Sequence, residues 1–314
     1  MIKIGSTLGI DTSNYTTSAA LFHSEVHSVT QQKMLLPVKQ GELGLRQSDA
    51  VFHHVRQLPL VLEQLLQDNS DSIHAVGASD RPRSIDGSYM PCFSVGLGTA
   101  KAISLSLGVP FHSFSHQAGH IAAALFSVKR LDLVSHPFIA FHVSGGTTEA
   151  VLVVPDKNQI FDATIIAKSL DLKGGQAVDR VGSMLGLTFP SGRELEELAL
   201  NSNFRYKIKA SMKGADCSLS GVENQCRKML ESGAPREDIA AYCLRFILAA
   251  LDAMTLELIK LYGKLPLVFA GGVMSNSIIR NALTEKYGAY FASPAFSCDN
   301  AAGIAVLTSI KEAE

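Results

Sequence analysis

A chain of 314 residues, 46% of them apolar, can build two domains with a core in each, which excludes a disordered chain. Lys and Arg number 28 against 29 Asp and Glu, so the net charge of −1 excludes a general attraction to nucleic-acid backbone or anionic membrane, and any RNA contact must be local or borrowed from a partner. The residues Met1-Ile2-Lys3-Ile4-Gly5 show no signal-peptide pattern and no window approaches the ~18 apolar residues of a membrane span, so a cytoplasmic protein with no membrane partner is expected.

The first expected element is a β-hairpin: a strand-like run Leu8-Gly9-Ile10-Asp11, a polar tip, and a second run from Ala19 to Phe22. Its tip recurs without a gap, residues 12–21 lying over residues 143–152, and both copies read S-x-x-T-T-x-A-x-L. The second copy is entered by Phe138 to Val143 and left by Ala150 to Val154. Tips rich in small hydroxyl residues leave backbone N–H groups to point at an anion, so two such hairpins could grip one polyphosphate. Ser-Thr-Gly turns are also common hairpin chemistry.

Helix-period stretches follow at Ser48 to Leu66 and Val95 to Leu107, the latter stopped by Gly108. Ser115 is an N-cap candidate for His116-Gln117-Ala118-Gly119-His120, whose two imidazoles at i and i+4 share one helix face and can present two nitrogens to one metal ion. The pair lacks the Glu of H-E-x-x-H, which disfavours a zinc protease. Periodicity is lost near Arg130 to His136, and the boundary is placed there: residues 1–132, completed by a C-terminal helix at 300–314, and residues 133–299.

In the second half, Asp179 of Gly174-Gly175-Gln176-Ala177-Val178-Asp179-Arg180 could bond ribose hydroxyls, and Gly192 allows close backbone approach; a helix with an adjacent charge pair is the alternative. Arg236 to Leu261 is a long amphipathic helix ended by Gly263. A buried strand, Leu265 to Ala270, then enters Gly271-Gly272 and a helix from about Asn276, which together form a seat for phosphate or ribose. Asp299 is a third metal ligand or an ordinary N-cap, and His142 a fourth ligand or a structural residue. The five cysteines, with no C-x-x-C pair, read as reduced thiols. Strands alternating with helices in both halves give an α/β protein.

Taken together, the motifs resemble the tRNA adenosine threonylcarbamoyltransferase family, formerly described as O-sialoglycoprotein endopeptidases. They are G-I-D-T-S at 9–13, the H-x-x-G-H type pair at 116–120, V-S-G-G-x-T at 143–148 and A-x-D-R-x-G-x-x-L-G-L-x-F-P-x-G at 177–192, followed by S-L-S-G at 218–221, A-G-G-V-x-x-N at 270–276 and C-D-N-A-A at 298–302. The resemblance implies two tandem actin-like ATPase (ribonuclease H-like) subdomains with a metal and a nucleotide in the cleft between them. It implies that His116, His120 and Asp299 bind one divalent metal ion, iron or zinc, with His142 near it. It implies that Val143, Ser144, Gly145, Gly146, Thr147, Asp179, Gly192 and Asn276, assisted by Glu196, bind an adenine nucleotide, threonylcarbamoyl-AMP or ATP, and that Asp11 is the catalytic carboxylate. The implied reaction is transfer of threonylcarbamoyl to N6 of an adenosine beside the tRNA anticodon, with tRNA and proteins of the threonylcarbamoyladenosine pathway as partners.

The chain departs from the family pattern at several places. The first hairpin, usually E-T-S-C-D-E-T, reads Asp11-Thr12-Ser13-Asn14-Tyr15-Thr16-Thr17 and lacks the acidic pair; S-G-G-H-T becomes Ser144-Gly145-Gly146-Thr147-Thr148; and P-G-G-P becomes Pro190-Ser191-Gly192-Arg193. Arg81 to Pro91 replaces the glycine-rich G-P-G-L-x-G segment. Two readings result: a divergent transferase in which Arg81, Arg83 and Arg193 meet tRNA phosphate, or a paralogue that acts on another acceptor or serves as a nucleotide-responsive partner.

Overall fold

The computed structural model describes residues 5–13, 15–37, 45–67, 69, 71–203, 207–296 and 301–314. They form two compact units, one running up to Val134 and including Pro155–Asp162 and Ala295–Glu314, the other made of Ser135–Val154 and Ala163–Pro294.

The first unit runs β1 (Ser6–Ser13), β2 (Thr16–His23), β3 (Ser28–Leu35), α1 (Gln47–Gln67), β4 (Ile73–Arg81), α2 (Phe93–Leu107), β5 (Phe111–Ser115) and α3 (His116–Ser127). Its sheet has the order β3-β2-β1-β4-β5. β2 is antiparallel to β1 and β3, and β4 is parallel to β1 and β5. All eight positions of β1 are buried. Alternate residues of its hairpin go to opposite faces: Leu8, Ile10 and Leu21 cluster with Leu58, Val61 and Ala100, while Ala20 and Phe22 cluster with Ala301, Ala305 and Val306. Covered on both faces, β2 carries the apolar run Ala19-Ala20-Leu21-Phe22, whereas β1 buries the polar Ser6, Thr7, Asp11, Thr12 and Ser13 beside Leu8 and Ile10.

The second unit runs β6 (Phe138–Val143), β7 (Thr148–Asp156), β8 (Ile160–Lys168), α4 (Gly174–Met184), α5 (Gly192–Leu200), β9 (Ser211–Lys213), β10 (Asp216–Ser218), α6 (Gly221–Glu231), α7 (Arg236–Tyr262), β11 (Leu267–Ala270), α8 (Ser277–Tyr287) and β12 (Tyr290–Phe291). Its five-stranded sheet has the order β12-β11-β6-β7-β8. β6 is antiparallel to β7 and parallel to β11, which is parallel to β12. The two sheets therefore share one topology. In-register parallel pairing stacks Phe269 on Phe141 and on Phe291, ring centroids 4.4 and 5.0 Å apart.

The last helix, α9 (Ala301–Ala313), belongs to the first unit. It lies so close to the sheet that a Cβ on Gly9 would meet the Ala301 carbonyl oxygen at 2.3 Å. A Cβ on Gly303 would meet the Gly119 carbonyl oxygen of α3 at 1.8 Å. Thr7 seals the contact by donating its hydroxyl to the Ala305 carbonyl at 2.7 Å.

One expectation is corrected. Among the described residues α7 is long and apolar enough to cross a membrane. Ile239, Cys243, Ile247, Leu251, Met254 and Leu258 nonetheless sit in the core of the second unit, which accounts for its hydropathy. Cys92, Cys217, Cys226 and Cys243 are buried free thiols.

Candidate functional site

In the first unit, β5 delivers the chain into α3, where the Ser115 hydroxyl oxygen accepts the Ala118 N–H at 3.2 Å as N-cap. The i, i+4 spacing brings the His116 and His120 rings to 4.7 Å between centroids. His116 Nδ1 donates to Asp11 Oδ2 at 2.8 Å, and Asp11 Oδ1 accepts the Ser13 N–H at 3.0 Å. Asp11 is fully buried, and burial alone would raise its pKa. The adjacent His116 charge and the hydrogen bonds from His116 and Ser13 outweigh that and hold the carboxyl below its ordinary value. A carboxylate on Nδ1 fixes the tautomer and leaves Nε2 as the nitrogen that could meet a metal, an arrangement common around metal-binding histidines. Two imidazoles, one so supported, fit a borderline divalent cation such as zinc or iron. Among the described residues no three His, Cys, Asp or Glu side chains gather as a metal site. Asp299 lies outside the described residues. His142 belongs to the second unit, on β6 opposite Glu149 of β7.

The first hairpin is braced from α1. His54, wholly buried, donates Nε2–H to the Ser13 carbonyl at 2.9 Å and places Nδ1 2.8 Å from the Thr17 hydroxyl. Burial pulls its pKa down, a shift that the Ser13 carbonyl and the Asp11 charge only partly oppose. Arg81, expected to meet phosphate, instead grips Asp80 at 2.6 and 2.8 Å and Gln159 at 3.2 Å.

In the second unit, Gly145, Asp179, Gly192, Glu196 and Asn276 line one cavity of about 500 Å³, together with Val178, Leu244 and Gly272. A Cβ built on Gly145 or Gly272 would meet nothing within 4 Å, and one on Gly192 only Val178 Cγ1 at 4.0 Å. A side chain at any of the three would enter open space rather than collide with the fold, so the backbone here can be approached closely by a ligand. Gly175 differs: its Cβ would strike the Gly145 amide nitrogen at 2.5 Å, so α4 begins in backbone contact with the hairpin tip. The Gly174 N–H donates to the Thr148 hydroxyl at 2.8 Å and the Gly175 N–H to the Ser144 carbonyl at 3.0 Å, fastening that contact.

The remaining nucleotide candidates form the tip without lining the cavity. Val143 is buried beneath Gly271, whose Cβ would meet the Val143 carbonyl oxygen at 2.3 Å. Two tip amides expected to be available are used within the turn: Ser144 N–H donates to the Thr147 carbonyl at 2.7 Å, and Thr147 N–H to the Ser144 hydroxyl at 3.2 Å. Gly146 adjoins them at the tip. The start of α8 is likewise occupied. Asn276 Oδ1 accepts the Ile279 N–H at 3.1 Å, and Glu196 Oε1 accepts the Ser277 N–H at 2.7 Å as well as the Ser277 hydroxyl. Asp179 Oδ1 accepts the Ser191 N–H at 3.0 Å, and its neighbour Arg180 pairs with Glu223 at 2.9 Å. The wall residues Val178 and Leu244 carried only a core signal in the sequence, as apolar positions on helices, and could not be told from packing.

A family model described as tRNA N6-adenosine threonylcarbamoyltransferase matches residues 28–306. The chain is 32% identical over 315 aligned residues to a tRNA N6-adenosine threonylcarbamoyltransferase of Kosmotoga olearia, covering 96% of this chain and 91% of that one. Full-length HypF in its phosphate- and nucleotide-bound form superposes with a TM-score of 0.61 at 15% identity, covering 98% of this chain and 55% of that one. The Acidaminococcus fermentans (R)-2-hydroxyglutaryl-CoA dehydratase component A superposes with a TM-score of 0.55 at 17% identity, covering 98% and 99%. These likenesses show the fold: two tandem actin-like ATPase (ribonuclease H-like) subdomains.

Proposed function

The chain belongs to the tRNA N6-adenosine threonylcarbamoyltransferase family, and we propose that it transfers the threonylcarbamoyl group of threonylcarbamoyl-AMP to N6 of an adenosine beside the tRNA anticodon. The glycine-floored cavity of the second unit carries this reading, because its volume of about 500 Å³ suits an adenylate. Asp179 is set to meet the ribose hydroxyls, while Gly145, Gly192 and Gly272 admit the nucleotide against backbone. In the reaction N6 attacks the carbamoyl carbon, the bond from that carbon to the phosphate oxygen breaks, AMP leaves, and N6 gives up a proton. The cavity contributes by holding donor and leaving group in place.

His116 and His120 would hold the divalent cation, iron or zinc, which when bound supplies Lewis-acid polarisation of the carbamoyl carbonyl. Asp11 serves as a positioning residue: buried and bonded to His116 Nδ1, it fixes the imidazole rather than touching substrate. Proteins of the threonylcarbamoyladenosine pathway supply the donor, and tRNA is the acceptor.

The test is to incubate purified protein with tRNA and threonylcarbamoyl-AMP and search the digested tRNA for the modified nucleoside by mass spectrometry. The modified nucleoside is expected; its absence even with the pathway's other proteins present rejects the transferase reading. One observation favours a second reading, a paralogue that binds nucleotide but serves another acceptor: Tyr15 and Thr16 stand where the family pattern has its acidic pair. Nucleotide binding without tRNA product is its signature.

A further inference from the structure

We propose that Tyr89, on a loop that also exposes Ile85, is a stacking platform for an unpaired base of the acceptor RNA. This inference rests on the transferase reading and adds the means by which the nucleic acid is gripped. The segment from Arg81 to Pro91 stands where the family pattern is glycine-rich, and it carries side chains of a different kind. Tyr89 is 69% exposed and Ile85 61% exposed, so both side chains are open to a ligand.

The loop that presents them is braced throughout. At its start the Pro82 carbonyl accepts the Gln117 N–H at 3.0 Å and the Ser84 hydroxyl meets the Ser115 hydroxyl at 3.1 Å, so it is fastened to the first turn of α3 beside His116. Within it, the Arg83 N–H donates to the Ser88 hydroxyl at 3.0 Å and the Ser88 N–H to the Ile85 carbonyl at 3.1 Å. At its end the Cys92 carbonyl accepts the Thr12 hydroxyl at 2.9 Å, next to Asp11 in the chain, and the Phe93 ring lies 5.7 Å from that of His116. Both ends of the loop thus frame the histidine pair.

An aromatic ring held out on a fixed loop loses little entropy on contact and offers a flat face to any base. Sequence-specific recognition of RNA works mainly on unpaired bases splayed onto such rings. A net charge of −1 provides no general hold on the RNA backbone, so local contacts such as base stacking matter more to the grip.

The chain contains no tryptophan, so Tyr89→Trp installs a unique fluorophore. Titration with an anticodon stem–loop RNA is expected to quench it, whereas a fully paired duplex of equal charge leaves it unchanged. Tyr89→Ala should weaken stem–loop binding by about tenfold, and Tyr89→Phe should restore it, since the face and not the hydroxyl is used. No quenching by either RNA, equal quenching by both, or undiminished binding by Tyr89→Ala overturns the proposal. If tRNA product forms while the fluorophore stays silent, this inference fails and the transferase reading stands; quenching without product, even with the pathway's other proteins present, supports the platform and rejects the transferase.

Discussion

A buried carboxylate survives ionised at Asp11 because His116 stands 2.8 Å away, and the same hydrogen bond fixes the ring for which it is the partner. Replacing Asp11 with Asn should keep the shape but lose the charge, lowering metal affinity by about 10- to 100-fold in a metal-ion titration. The double change His116→Ala, His120→Ala should abolish stoichiometric metal; full occupancy by elemental analysis would refute the assignment. Asp171 offers a test outside the site. It accepts the Leu172, Leu219 and Ser220 N–H groups and the Ser220 hydroxyl, at 2.6, 2.7, 3.3 and 2.6 Å. Partial burial raises its pKa, but these bonds prevail and hold it below the ordinary 3.8. Its folded-state pKa being depressed, its stabilising contribution is full above 3.8 and is lost as pH falls through the folded-state value. Asp171 is largely exposed, so solvent screening trims the effect: Asp171→Asn should cost about 1 kcal/mol in urea unfolding at pH 7, a gap that closes in acid. The histidine pair was legible in the sequence because i, i+4 spacing fixes a shared face. Its partner was not, since Asp11 lies 105 residues away and only the sheet brings it there.

Elements with a strong period were the readable ones. The 27 residues of α7 repeat an apolar stripe long enough to leave no alternative. β3 escaped because Thr30-Gln31-Gln32-Lys33 is polar and half exposed, and it is a strand only because β2 offers it an edge. Helices α5 and α6 escaped for a similar reason: they are short and rich in polar and charged residues, with few buried apolar ones. Helix α9 was expected as an ending, but its intimacy with its neighbours was not, because nothing in a glycine's sequence context says what it must touch. Gly303→Val forces a side chain into the Gly119 carbonyl, which backbone cannot yield cheaply. A loss of about 3 kcal/mol, read as a lower urea midpoint at unchanged slope, is expected.

At the scale of the molecule, the repeated nine-residue tip was the visible trace of two sheets with the same strand order. The tip announced the duplication, yet it did not announce how unequally the two copies are used. The second copy is fastened to α4 at the mouth of a cavity, while the first is braced by His54. Five of the residues that the family resemblance singled out for nucleotide meet at that cavity, and its floor is bare because three glycines keep it so.

The account turns on that cavity holding an adenylate. Gly192→Leu has room for its Cβ, with Val178 Cγ1 4.0 Å away, and should fill the space without unsettling the fold. Calorimetric titration of AMP into both proteins is the direct measurement. The wild type should bind one equivalent, and the variant should bind roughly 100-fold more weakly, a difference of about 2.7 kcal/mol, at an unchanged urea midpoint. A variant that binds AMP as the wild type does, or a wild type that binds none, would contradict it.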